Sequence, residues 1–262
     1  MSRGEDSAIP TMLNKVPQIT IFFWVIKVLA TTVGETAADL LSTRLQLGLT
    51  ITSYVMGAVF VAALIFQVRA NRYVPSIYWL TVVLISVVGT LISDNLVDGM
   101  GISLVTTSIV FAAILAVVFA LWYRSERTLS IHTIVTTRRE LYYWAAILFT
   151  FAMGTSVGDL IAETINLGYG PTAIVFAGLI GLVAFAQFVL KADAIVTFWI
   201  AYILTRPLGA SIGDYLAKPV IAGGLGWGTI ATSLIFLAAI LSLVVFLTIG
   251  RANRLEQASA AA

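Results

Sequence analysis

The sequence predicts an all-α membrane protein: eight transmembrane helices built from four parallel two-helix repeats, set out as two tandem four-helix halves. Three observations predict it. The chain is 60% hydrophobic and 11% charged over 262 residues, with a mean hydropathy of +1.00, which no water-soluble domain with one core can accommodate. Apolar runs of about 20 to 25 residues, each long enough to span a bilayer as a helix, alternate with short polar joints. One ten-residue pattern is written four times, as Ala30–Asp39 (ATTVGETAAD), Gly89–Asp98 (GTLISDNLVD), Gly154–Glu163 (GTSVGDLIAE) and Gly209–Lys218 (GASIGDYLAK).

Residues 1–16 read as a polar tail with Arg3 and Lys15 as its basic groups. The apolar run from about Val16 to Leu41 is too long for a signal-peptide core and no small-residue cleavage site follows it, so it should remain as the first helix. The eight spans fall near 17–41, 47–68, 76–97, 102–122, 141–165, 171–191, 195–216 and 226–249. Helices 1–4 occupy 17–123, a linker at 124–140 holds the chain's one His, helices 5–8 occupy 141–249, and 250–262 form a second tail. The joints after the odd helices are tight and rich in turn residues (DGMG from Asp98, NLGYGP from Asn166, KPVIAGGLG from Lys218), so each odd helix is expected to pair with the next as a hairpin.

Basic residues are sorted by side. Arg3, Lys15, Arg69, Arg72, Arg124, Arg127, Arg138, Arg139, Lys191, Arg251 and Arg254 gather on one side, Arg44 and Lys218 on the other. That bias predicts cytoplasmic termini, and with a net charge of only +2 it speaks for topology rather than for nucleic acid. With no Cys in the chain, disulfides and thiolate metal ligands are excluded.

Aligned on the first acid, the repeats put Glu35, Asp94, Asp159 and Asp214 at one position and Asp39, Asp98, Glu163 and Lys218 four residues later. The first acids are 59, 65 and 55 residues apart. Every unit holds an even number of spans, so all copies enter the membrane in the same sense and the repeats are parallel. Trp79, Trp144 and Trp199 each stand fifteen residues before their acid, and Trp24 lies about one turn later in its copy. If these Trp mark an interfacial aromatic belt, fifteen residues at about 1.5 Å each place the first acids roughly 22 Å deeper, in the outer third of the hydrocarbon, with the second acids about 6 Å beyond on the same helix face.

Ionisable groups at such depths mark function by default. Glu35, Asp39, Asp94, Asp98, Asp159, Glu163 and Asp214 are therefore the candidate metal ligands, with Thr31, Thr90 and Thr155 one turn below their acids and Ser211 as the hydroxyl of the fourth copy. Carboxylates and hydroxyls suit hard cations, whereas zinc and copper recruit Cys or His. His132 lies in the linker and reads as a solvated loop residue. The glycines before the acids read as close helix packing, with broken helices as the alternative. Lys27 and Arg206 each stand eight residues before their acids, Glu35 and Asp214. They are expected to pair with them, either as counter-ions that compete with substrate or as fixed structural pairs. Pro207 should kink helix 7.

The repeated GTSVGDLIAE-like segments, with the opening KVPQITIFFWVIKVLATTVGE and the late RPLGASIGDYL, resemble a family of bacterial multi-pass proteins described as membrane-anchored and uncharacterised. The resemblance covers nearly the whole chain and implies a bacterial cytoplasmic membrane, without implying an activity. The reading of the residues is a non-enzymatic transporter of a hard divalent cation, Mn²⁺ or Mg²⁺ ahead of Ca²⁺, with carboxylate protonation as the natural coupling and with direction and coupling ion left open by the sequence. Its partners are the bilayer and the metal ion as substrate, with no covalent cofactor and no nucleic acid, and the sequence leaves homo-oligomerisation open. Two other classes compete: a structural or sensor protein whose acids only pair with cations, and an intramembrane aspartyl hydrolase, since SVGD and SIGD at Asp159 and Asp214 approach a GxGD motif but carry Ser156 and Ser211 in place of its first Gly.

Overall fold

The computed structural model describes residues 14–260, with side chains to Gly250. The tail before Asn14, Arg3 included, and the side chains of Arg251 and Arg254 lie outside the described residues. Among the described residues, eight helices are long and apolar enough to cross a membrane: α1 (Ile21–Asp39), α2 (Gly48–Arg69), α3 (Pro75–Asp94), α4 (Leu104–Glu126), α5 (Thr137–Asp159), α6 (Tyr169–Phe188), α7 (Ala194–Ala217) and α8 (Thr229–Ala260). The start of α1 falls later than the apolar run because the preceding segment is held on the linker, where the Lys15 N–H donates to the Ile134 carbonyl at 3.1 Å. Side-chain caps fix three other starts: Ser103 accepts from Thr106 N at 3.1 Å, Thr136 from Arg139 N at 3.3 Å and Asp193 from Val196 N at 2.9 Å, each satisfying an orphan N–H of a first turn.

The four odd helices form a closed inner ring: α1 packs on α3, α3 on α5, α5 on α7, and α7 on α1. The even helices stand outside it. In their most apolar windows the odd helices bury 56 to 72% of residues and the even ones 11 to 22%, as expected when the polar stripe of each repeat turns inward and the uniformly apolar helix is left to lipid. The expected hairpins are corrected here. Beyond the turn that joins them, α2 packs on α3 rather than along α1, α4 on α5, α6 on α7, and α8 returns to α1. Each repeat thus hands its outer helix to the next, and the two halves become one ring.

Small residues explain why the inner helices are the ones that approach. A Cβ on Gly89 of α3 would stand 2.5 Å from Phe151 Cβ of α5, and one on Gly154 of α5 2.5 Å from Arg206 Cγ of α7. The same relation closes the ring, with Gly209 of α7 against Thr31 of α1 and Gly34 of α1 against Ser86 of α3. Close packing, not a broken helix, is the use made of these glycines. The helices change only beyond the first acids, where Leu40–Arg44, Asn95–Gly99 and Leu160–Thr164 form π-helical turns, the last two carrying Asp98 and Glu163, a wider winding common at functional sites.

An aromatic collar closes the end of the ring that carries the termini. Phe23 lies 5.7 Å from Trp79, Tyr78 5.6 Å from Trp144, Tyr143 6.2 Å from Trp199, and Phe198 5.6 Å from Trp24, each ring meeting the tryptophan of the next repeat. Trp79, Trp144 and Trp199 are buried, which corrects their expected place in a lipid-facing belt. Sequence position marks an interface, but offset pairing of large rings around an axis removes far more apolar surface than an exposed belt would.

Candidate cation site

Above the collar, the four repeats contribute one residue each to successive layers. Eight positions before the acids the layer is Lys27, Ser86, Phe151 and Arg206. Arg206 is fully buried and its guanidinium reaches every other inner helix. Nη2 donates to Glu35 Oε2 at 2.9 Å and to Thr155 Oγ1 at 2.7 Å, and contacts Thr90 Oγ1; Nη1 donates to the Thr31 carbonyl at 2.9 Å and Nε to the Phe151 carbonyl at 3.4 Å. The planar fork, with five donors and no acceptor, suits such a hub. Gly154 leaves the space in which its stem lies.

This geometry corrects both expected pairings. Arg206 pairs with Glu35 of α1 and not with Asp214 of its own helix, because the ring closes α7 on α1. Lys27 is then left without a carboxylate. Its Nζ, fully buried and without a hydrogen-bond partner among the described residues, lies 3.9 Å from the centre of the Phe151 ring and 4.2 Å from that of Tyr202, a cation–π sandwich. Of the expected supporting hydroxyls, Thr90 and Thr155 serve Arg206, while the Thr31 hydroxyl donates to the Val28 carbonyl at 2.6 Å. Ser211 is buried with no hydrogen-bond partner among the described residues.

The acids lie toward the other end. Glu35 and Asp214 are buried, Asp39, Asp94 and Asp159 half-buried, Asp98 and Glu163 exposed. Glu35, Asp94, Asp159 and Asp214 are near enough to act on one another's charge across the axis. Only three of the seven reach ligand-set spacing: carboxylate oxygens of Asp159, Glu163 and Asp214 lie within 4.8 Å of one another. A protein cation already sits there. Lys218 Nζ is 3.1 Å from Glu163 Oε1 and 3.2 Å from Asp214 Oδ2, and donates to the Tyr169 hydroxyl at 2.7 Å. Burial works against the charge of Lys218, but Asp214, the Tyr169 hydroxyl and Glu163 outweigh it and hold the amine above its ordinary range, as an ammonium. Next to it a cavity of about 440 Å³ is lined by Asp39, Arg44, Gln46, Lys218 and Thr229. Asp39, Asp94, Asp98 and Asp159 take part in no ion pair among the described residues.

Sequence reasoning missed Tyr169, which donates to Glu163 Oε1 at 2.6 Å; the turn residues around it gave no hint of a ligand role. It also missed the buried pair at the other end, Lys15 Nζ to Glu140 Oε2 at 2.8 Å, with Gln67 Nε2 on Oε1 at 3.0 Å. An acid directly after two linker arginines, at the start of a span, was the available signal.

Fold and site together define a multi-pass helical membrane protein whose fourfold internal repetition gathers acids around one axis. The chain belongs to the family of repeats of unknown function DUF347, whose model matches four consecutive segments, residues 22–73, 77–128, 142–193 and 197–252. Each segment covers most of one inner helix and of the outer helix that follows it. No curated protein and no solved structure matches the chain.

Proposed function

We propose that this protein transports a hard divalent cation, Mn²⁺ or Mg²⁺ ahead of Ca²⁺, across a bacterial cytoplasmic membrane, with its termini in the cytoplasm. The observation that carries the reading is the approach of Asp159, Glu163 and Asp214 oxygens to within 4.8 Å, with Asp159 in no ion pair among the described residues. Three carboxylates and a phenol are an all-oxygen set of the kind hard divalent ions take, waters completing the shell. Lys218 is the resident cation of this site and the tethered competitor of the substrate. Entry is from the side away from the termini, because the aromatic collar and the Arg206 hub seal the axis on the other. A divalent ion arriving there displaces the ammonium, and any protons held by the crowded carboxylates leave as it binds.

The pairing seen at Arg206–Glu35 and Lys218–Asp214 also supports a second reading, in which the acids are structural and bind nothing further. Titration calorimetry and melting of purified protein with Mn²⁺, Mg²⁺, Ca²⁺ and Zn²⁺ separate the two. The transporter reading expects saturable binding of the hard ions, tighter binding in Lys218→Met, loss in Asp159→Asn and Asp214→Asn, and a melting temperature that rises with metal. Wild type and Lys218→Met both silent to all four ions would refute it in favour of the structural reading.

A further inference from the structure

A second cavity, of about 670 Å³, lies at the collar end of the molecule between the first turns of α1 and α7, the last turns of α6 and the linker. Its volume is in the range of small-molecule sites, roughly 300–1,000 Å³, and its walls are apolar, with Trp24, Val183, Ala184 and Phe198 among them. It opens sideways. Two of its lining residues, Ile21 and Phe188, are 70% and 73% exposed, on helix faces that the fold turns away from the ring and toward lipid. The opening arises from the handing-on of outer helices: α6 lies on α7 and α8 on α1, and the cavity flanks the α7–α1 seam beside α6.

One edge of this cavity is polar. Ser130 and His132 of the linker and Gln187 of α6 line it. Two exposed cations flank it in sequence: Lys191 stands in the α6–α7 turn between the lining residues Phe188 and Ala194, and Arg127 stands two residues before the lining residue Leu129. Neither takes part in an ion pair among the described residues. Asp193, the acid in the same turn, is occupied in capping α7.

We infer that this cavity binds an anionic phospholipid of the surrounding leaflet, one acyl chain filling the apolar space and the phosphate held by Lys191 and Arg127. Beyond that polar edge a water-soluble ligand would find almost no partners on these walls, and a second copy of the chain would meet a concavity rather than a matching face. A diacyl lipid satisfies both the lateral opening and the flanking cations, the arrangement by which membrane proteins select anionic headgroups. The inference is independent of the cation site, which lies at the other end of the ring.

Trp24 in the wall is an internal reporter. The protein is reconstituted in phosphatidylcholine vesicles containing a minor fraction of brominated phosphatidylglycerol or, in parallel, of brominated phosphatidylcholine. The Trp24 signal is taken as the difference between wild type and Trp24→Phe. The expected result is stronger quenching by the brominated anionic lipid than by the zwitterionic one at equal fraction. Lys191→Gln should cut that preference about fivefold, the effect of one basic residue at an anionic surface. Ala184→Phe, which fills the cavity, should abolish quenching by both lipids, its melting temperature confirming that it folds. Equal quenching by the two lipids in wild type, or a preference unchanged in both Lys191→Gln and Arg127→Gln, would overturn the assignment. Inorganic phosphate should not compete; if it relieves the quenching, the site is a free-anion site and the lipid assignment fails.

Discussion

Lys27 and Arg206, the two cations buried inside the ring, should respond in opposite ways to replacement by methionine. Arg206 donates to five acceptors on three helices, one of them the buried Glu35 carboxylate. Its removal strands that charge together with two carbonyls and two hydroxyls. Breaking a buried pair from one side costs about 3–5 kcal/mol, and at roughly 2–4 °C per kcal/mol for chains of about this size that is a fall of roughly 6 to 20 °C in melting temperature. Lys27 offers no such bonds. Its replacement forfeits a cation–π contact worth about 2 kcal/mol when desolvated and relieves a buried, unsatisfied donor that costs about 1–3 kcal/mol. The flexible thioether also packs well against Phe151 and Tyr202. Lys27→Met should therefore melt within about 1 kcal/mol of wild type, equivalent to a few degrees. The assay is thermal melting of the detergent-purified variants by intrinsic fluorescence, with Glu35→Gln added to Arg206→Met; the double variant should lose little more than the single one, because the pair is already broken. If Lys27→Met falls as far as Arg206→Met, the assignment of Arg206 as the hub and Lys27 as an unpaired cation is wrong.

Three further outcomes test the remaining arguments. Reporters placed at the N-terminus, in the linker and at the C-terminus should all report the cytoplasm, and a linker found outside would overturn the proposed orientation. Gly209→Leu drives a side chain into Thr31 and the Thr32 backbone and should cost about 1–3 kcal/mol or more, whereas Gly57→Ala on the outer face of α2, where a Cβ meets nothing within 4 Å, should be neutral or stabilising by about 0.5–1 kcal/mol; equal melting shifts would remove the close-packing explanation of the ring. Because the Lys218 pKa is raised in the folded state, its ion pairs are fully present below the ordinary lysine value and are lost only as pH rises past the higher folded one. Lys218 should therefore add no alkaline instability up to the ordinary lysine range, and a Lys218→Met melting curve that gains on wild type between neutral pH and that range would contradict the assignment.

The spans, their number and the parallel sense of the repeats were legible because they rest on hydropathy and on a pattern repeated at one register, both local properties of the chain. Which helix touches which was not. DGMG after Asp98 and NLGYGP after Asn166 announce tight turns, and a tight turn ordinarily implies a packed hairpin; here the glycines and threonines of each inner helix fit the next inner helix more closely, and that choice depends on residues about sixty positions away. The same long-range closure misassigned Arg206. Spacing along α7 puts it on one face with Asp214, but contact between α7 and α1 puts it on Glu35, and no periodicity within one helix can report a partner on another. Lys218 stood in the alignment as the fourth copy's departure from an acid, and its role became readable only when Glu163 was found across the joint from it.

Departures from fourfold repetition carry the chemistry. A ring of four identical acidic repeats would gather eight carboxylates with no internal cation, a cluster that could fold only with its acids protonated or metal-bound. The actual chain changes two layers. It places Lys27 and Arg206 eight positions before the acids of the first and fourth copies, and Lys218 at the second-acid position of the fourth. These copies are remote in sequence but neighbours in space, because α7 packs on α1. Compensation is therefore polarised across the ring: Glu35 and Asp214 have protein cations, while Asp94 and Asp159, from the second and third copies, have none among the described residues. Glu163, paired with Lys218 at the exposed end, bridges the two sides. A uniformly compensated ring would have no reason to bind a mobile cation and an uncompensated one could not release it. On the proposed transport reading, the polarised arrangement leaves carboxylates free on one side to take the ion and an ammonium on the other for it to displace, and reversible exchange needs both.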